Sequence, residues 1–168
     1  MAAVLAALDD LAPELPGRSK ALVEVAVWFH DAVYDPRAGD NEARSAELAE
    51  ERLAGLGLGH GDPDEVARLV RLTAGHRPPA VPDPRAAALL DADLSILGSR
   101  PEAYDRYRRA IRREFGHLSD EQFAQGRRRV LEGLLDTPAL FSGLRARRLL
   151  EGPARDNLAG ELRLLPAS

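Results

Sequence analysis

Three places in this 168-residue chain carry residues that local packing does not call for. The first is His30-Asp31, which directly follows residues 21–29, ALVEVAVWF, a segment apolar on nearly every side. Such a segment reads as a central, buried helix. An ionised Asp at its end is costly unless it is paired, bound to a cation, or carried out into solvent where the helix stops. The second is Asp93, within LLDADLSIL. On a helix at about 100° per residue, Leu89, Leu90, Leu94 and Leu97 share one broad face. Asp93 falls inside that face, while Asp91 projects away from its centre. A carboxylate there needs either an Arg from elsewhere or a metal ion. The third is His76, which extends the helix face of Leu69, Leu72 and Thr73. It reads as a satisfied core histidine or as a contact to phosphate near a metal. His60 and His117 fall in Gly-flanked loops, and the chain has no Cys. Disulfides, thiolate metal sites and Cys nucleophiles are therefore excluded, and any metal site must use imidazoles and carboxylates.

The elements that must position these groups are all helical. Breakers fall at residues 13–17, 35–40, 55–63, 77–84, 98–101, 116–120 and 137–138. Between them lie stretches rich in Ala, Leu, Arg and Glu, which favour helix. No stretch alternates as a strand would. The pattern predicts an all-α protein of seven or eight helices in one domain spanning residues 1–168. Helix starts are predicted at Asp40, at Asp62 before Pro63, at Ser99 before Pro101, and at Ser119 with a capping box to Gln122. Val4, Leu5, Leu8 and Leu11 already follow helical spacing at the start of the chain.

Composition narrows the function. Lys plus Arg is 23 and Asp plus Glu is 27, a net charge of −4. An acidic chain has no general attraction to nucleic-acid polymers or anionic membranes. The opening lacks the basic start of a secretory signal, and no run reaches ~18 apolar residues. A soluble cytoplasmic protein is predicted. Arg106, Arg108, Arg109, Arg112, Arg113 and then Arg127, Arg128, Arg129 read as solvated helix faces rather than phosphate sites. Arg155, Asn157 and Glu161 are expected to tie the last helix to its neighbours.

The strings AVWFHDAVYDP, DNEARSA, TAGH, LLDADLSILG and EGPARDNLAGEL, in that order, resemble a bacterial branch of the HD-domain metal-dependent phosphohydrolases. The resemblance runs over about residues 4–165. It implies an HD-type helical bundle with a divalent ion at its centre, Mn, Fe, Co, Ni or Zn in preference to Mg. His30 and Asp31 would be the central ligand pair and Asp93 the distant one, with Asp91 the poorer choice. Asp31 would also orient water, His76 would face the metal or the substrate phosphate, and Glu42 would position water or substrate. The family's first His lies on the preceding helix, and no His precedes His30 here. A missing N-terminal segment that carries it, through truncation or a start assigned too far downstream, is the expected cause, and loss of that ligand in this chain is the alternative. The implied activity is hydrolysis of a small phosphorylated metabolite, a nucleotide first of all. The alternative is a catalytically weakened HD module that binds a nucleotide or a partner protein without turnover. Oligomeric state is not legible.

Overall fold

The structure, a computed structural model, describes residues 1–56, 59–77 and 79–166. Among them are eight α-helices, one 3-10 helix and no strand. The all-α expectation holds. No helix among the described residues is long and apolar enough to cross a membrane. The helices fall into two compact units, Met1–Asp93 and Leu94–Ser168.

The first unit contains α1 (Ala2–Leu11), α2 (Gly17–Phe29), α3 (Asn41–Ala54), α4 (Asp62–Leu72) and α5 (Pro84–Asp93). α2 is central, packing against each of the other four. It buries Leu22, Val23, Ala26 and Val27, a spacing that makes one helical stripe. The stripe continues to His30, while Trp28 on the other side is 61% exposed. The expectation of burial on nearly every side is thus corrected: neighbours cover one broad face of α2. α3 offers Ser45, Ala46, Ala49 and Leu53, and α4 offers Val66, Ala67, Leu69 and Val70, all buried. Small alanines at these positions let the helix axes approach closely. α4 starts at Asp62, the expected cap, and the cap falls one residue earlier on Gly61 at φ +84°, a conformation that glycine adopts without Cβ strain.

Charged residues secure the start of α5. The Asp83 carboxylate accepts from the backbone N–H groups of Arg85 and Ala86, capping the helix. It also accepts from Arg68 of α4 at 2.5 Å. Glu65 binds Arg68 through two nitrogens and Arg85 through a third, and Arg85 donates to Ser19 of α2. This network joins three helices and neutralises its own charges.

The second unit contains the 3-10 helix (Leu94–Gly98), α6 (Pro101–Glu114), α7 (Asp120–Leu135) and α8 (Leu144–Leu164). Ser119 caps α7 through the expected reciprocal box with Gln122. Ser99 does not cap α6. Arg100 takes that position, and the Ser99 hydroxyl is buried with no hydrogen-bond partner among the described residues. α8 carries the long-range ties. Asn157 donates to the carbonyls of Leu97 and Ser99, Glu151 accepts from the N–H groups of Leu140 and Phe141, and Arg155 reaches Glu151, Leu135 and Thr137. Arg108 and Arg109 share Asp105 on the α6 surface, as a solvated face would. Arg127 corrects that reading for the second cluster. It is buried and forms two hydrogen bonds to the buried Glu161, which also accepts from Tyr104.

Gly98 of the 3-10 helix lies close against Leu150 of α8. A Cβ there would lie 2.7 Å from Leu150 Cβ and 2.9 Å from the Leu150 carbonyl oxygen. The backbone carbonyl cannot swing away as a side chain can. Gly98→Ala is expected to cost roughly 1–3 kcal/mol, the usual size of overpacking. Urea unfolding of the two proteins checks it, and an unchanged midpoint would mean that α8 yields freely.

Candidate functional site

Four residues from three separate stretches of the first unit meet at one point. His30 ends α2 as its C-cap, in right-handed helical conformation, and is 6% exposed. Its position four residues after Ala26 and three after Val27 turns it inward. The ring Nδ1 lies 2.7 Å from the Val27 carbonyl oxygen. A carbonyl only accepts, so Nδ1 carries the hydrogen and donates it. The other nitrogen, Nε2, faces two carboxylates: Asp31 Oδ2 at 3.3 Å and Asp93 Oδ1 at 3.4 Å. The second oxygen of Asp93 lies 2.7 Å from His76 Nε2.

Asp93 is the last residue of α5, where the chain changes to the 3-10 helix. The predicted continuous helix through Leu97 therefore breaks at Asp93, and the break frees its side chain to turn towards His30 and His76. Asp91 is buried at 3% rather than turned outward, because α5 is covered on more than one side. His76 also departs from expectation. α4 ends at Leu72, and His76 sits in the turn beyond it at φ +48°. A left-handed backbone is uncommon for a residue with a Cβ and costs on the order of 1–2 kcal/mol. The hydrogen bond to Asp93 offsets part of that cost and sets the ring in place. Such strain clusters at working sites more often than elsewhere.

The electrostatics follow from this geometry. Burial pulls the His30 imidazolium down. The hydrogen bond and charge of Asp93 outweigh it, aided by the charge of Asp31 and the Val27 carbonyl, and His30 is raised to about 9. Burial pushes Asp93 up, but hydrogen bonds and charges from His30 and His76 hold it well below the usual carboxylate range. A proton therefore occupies the Nε2 side of His30 at neutral pH.

Asp31 is the exposed member, with 59% of its side chain open to solvent. The loop that follows it is latched to α3. Ser45, fully buried, accepts from the Val33 N–H at 3.0 Å and donates to the Val33 carbonyl at 3.2 Å. Asn41 does the same for Asp35, accepting from its N–H and donating to its carbonyl. Sequence spacing places Asn41 and Ser45 in this segment but holds no sign of what they grip. Glu42 lies half-buried in the first turn of α3. Among the described residues it forms no hydrogen bond or ion pair with the other four, so the structure brings together His30, Asp31, His76 and Asp93 without it.

Among the described residues no set of three or more His, Asp or Glu side chains stands as a ready-made cage for an ion. The donors contact one another instead. Their chemistry still fits a divalent ion. Two imidazole nitrogens and two carboxylates form a mixed N/O set that suits first-row metals. The Nδ1–H bond to Val27 is the kind of outer contact that orients a ligating His. Loss of one proton from His30 would free Nε2 as a donor.

A cleft of about 530 Å³ lies elsewhere in the same unit, lined by Leu15, Pro16 and prolines of the 79–84 loop together with the Arg68–Glu65–Arg85–Asp83 network. Its guanidinium groups are already paired, so it reads as a structural clamp. Comparisons with protein-family models, curated proteins and solved structures gave no match for this chain.

Proposed function

We propose that this chain is a metal-dependent phosphohydrolase of the HD type, acting in the cytoplasm on a small phosphorylated metabolite, a nucleotide first of all. The observation that carries the reading is the contact chain in which Asp31 and Asp93 face the buried His30 Nε2 and Asp93 also meets His76. These four come from three separate stretches of chain, and a purely structural bundle has no need to bring them together. The resemblance in motif order supplies the reaction class. The net charge of −4 agrees with a small substrate rather than a nucleic-acid polymer.

His30, Asp31 and Asp93 would hold the metal. When bound, a divalent ion lowers the pKa of water and polarises a phosphoryl group. The protein's own groups do the rest. Val27 fixes the His30 ring so that Nε2 points at the site. Asp31, open to solvent, orients the attacking water and accepts its proton. His76, hydrogen-bonded to Asp93, offsets charge on the phosphate. Ser45 and Asn41 hold the loop after Asp31 at a constant distance from α3. Glu42 is assigned a water- or substrate-positioning role on the resemblance alone.

The test is Mn(II) titration of the full chain by calorimetry in buffers of different ionisation enthalpy. One proton should leave on binding below about pH 9, because His30 must lose it. Affinity should therefore rise about tenfold per pH unit from 6.5 and level off near 9. His30→Ala should remove this dependence together with metal-dependent phosphate release from nucleotides. Equal Mn(II) binding by wild type and His30→Ala would sink the proposal. Binding without any turnover would favour a module that holds a nucleotide and does not cleave it.

A further inference from the structure

Trp28 is the sole tryptophan of the chain and is 61% exposed. Tyr34 is 51% exposed. Among the large hydrophobic side chains left open to solvent these two are the aromatic ones, and they flank His30-Asp31 in the sequence. The other aromatics of the described chain are at least half-covered.

The placement is specific. α2 turns its buried stripe inward, and His30 continues that stripe. Trp28 sits on the opposite side. The backbone stays helical through His30, and the Ala32 N–H bonds to the Phe29 carbonyl, so the turn carries on past Asp31. Trp28 and Asp31 are thus three residues apart on one helical surface, where Cβ atoms lie about 5–6 Å from each other. Helical side chains lean towards the N-terminus. Trp28 precedes Asp31 by three residues, about 4.5 Å of rise along the helix. Tyr34 follows Asp31 by three residues on the far side. A solvent-facing indole leaves a large apolar area wet. The flat face of a base matches the shape of the indole, which lies within one helical turn of Asp31 in the candidate site.

We infer that Trp28, assisted by Tyr34, is a stacking platform for the base of a nucleotide. The inference rests on the phosphohydrolase reading for the position of the phosphate and names the feature that would set substrate class. Every base offers a π face, so such a platform selects nucleotides over sugar phosphates without choosing among bases.

Trp28 emission reports on the platform directly, since no other tryptophan contributes. Titration of the full chain with AMP should quench or shift it in a saturable way, and ribose 5-phosphate and inorganic phosphate should not. Trp28→Ala should weaken AMP binding roughly 5- to 150-fold by calorimetry, the span expected for base stacking on an aromatic side chain. Trp28→Phe should retain most of the binding, and Mn(II) affinity should stay within about twofold in both variants. Unchanged emission with AMP, or equal AMP affinity in wild type and Trp28→Ala, overturns the platform. So does an emission shift that follows protein concentration without nucleotide, which would show a second copy of the chain covering Trp28. The two readings fail separately. Hydrolysis of sugar phosphates with no AMP effect on Trp28 removes the platform and keeps the phosphohydrolase. Saturable AMP quenching without Mn(II) binding or turnover supports the platform and removes the phosphohydrolase.

Discussion

Asp93→Asn should weaken Mn(II) binding by about 100-fold or more and remove metal-dependent phosphate release, while the helical content by circular dichroism stays unchanged. Asparagine keeps the shape of the side chain and can still meet His76. It removes the negative charge that both imidazoles face at 2.7 and 3.4 Å. Loss of even an outer partner of a metal ligand costs 10- to 100-fold, so a direct carboxylate ligand should cost more. A second readout needs no metal. Without the Asp93 charge, only the Asp31 charge and the Val27 carbonyl oppose burial at His30, and its pKa should fall from about 9. Histidine ring resonances followed by NMR across pH 5–10 would show this. A variant that binds Mn(II) as tightly as wild type would remove Asp93 from the ligand set and turn attention to the buried Asp91, two residues earlier.

The largest expected loss of stability lies in the second unit. Glu161→Ala should cost roughly 3–5 kcal/mol, because it leaves the Arg127 guanidinium buried without its counter-charge. Arg127 and Glu161 are 9% and 6% exposed and share two hydrogen bonds of 2.8 and 2.9 Å. The Tyr104 hydroxyl loses its acceptor in the same step. Replacing both charges, Arg127→Met with Glu161→Leu, should recover most of the loss, since a buried pair gives little net gain over apolar packing. Urea unfolding of the three proteins checks both statements. A loss under about 1 kcal/mol in Glu161→Ala would mean that water reaches Arg127 in the folded state. Mn(II) binding should be unaffected, as the network shares no residue with the His30 site.

The same pair shows where spacing stops being informative. Glu161, read with Arg155 and Asn157 as tying the last helix to its neighbours, does so through Arg127 and Tyr104. Arg127 reads as a solvated cation because it stands beside Arg128 and Arg129. Its partners are 34 residues away at Glu161 and, by ring contact, at Tyr107. Nothing in the local pattern names them. The Arg68 network is hidden for the same reason: Glu65 is a visible i,i+3 neighbour, but Asp83 and Ser19 come from other elements.

By itself the sequence determined an all-helical chain, the breaks between helices, the Ser119 cap, and an apolar α2 that runs into His30. It also marked Asp93 as a carboxylate among leucines. Each of these follows from helix period, propensity and capping, which act within a few residues. The tertiary structure alone decided the rest. It ended α5 at Asp93, buried Asp91, placed His76 in a left-handed turn instead of on a helix face, and left Trp28 open beside Asp31. Those outcomes depend on which face of each helix a neighbour covers. Periodicity identifies a face that can be buried. Only the packing of α1, α3, α4 and α5 around α2 selects which faces are covered, and that packing brings residues 30, 31, 76 and 93 to one point.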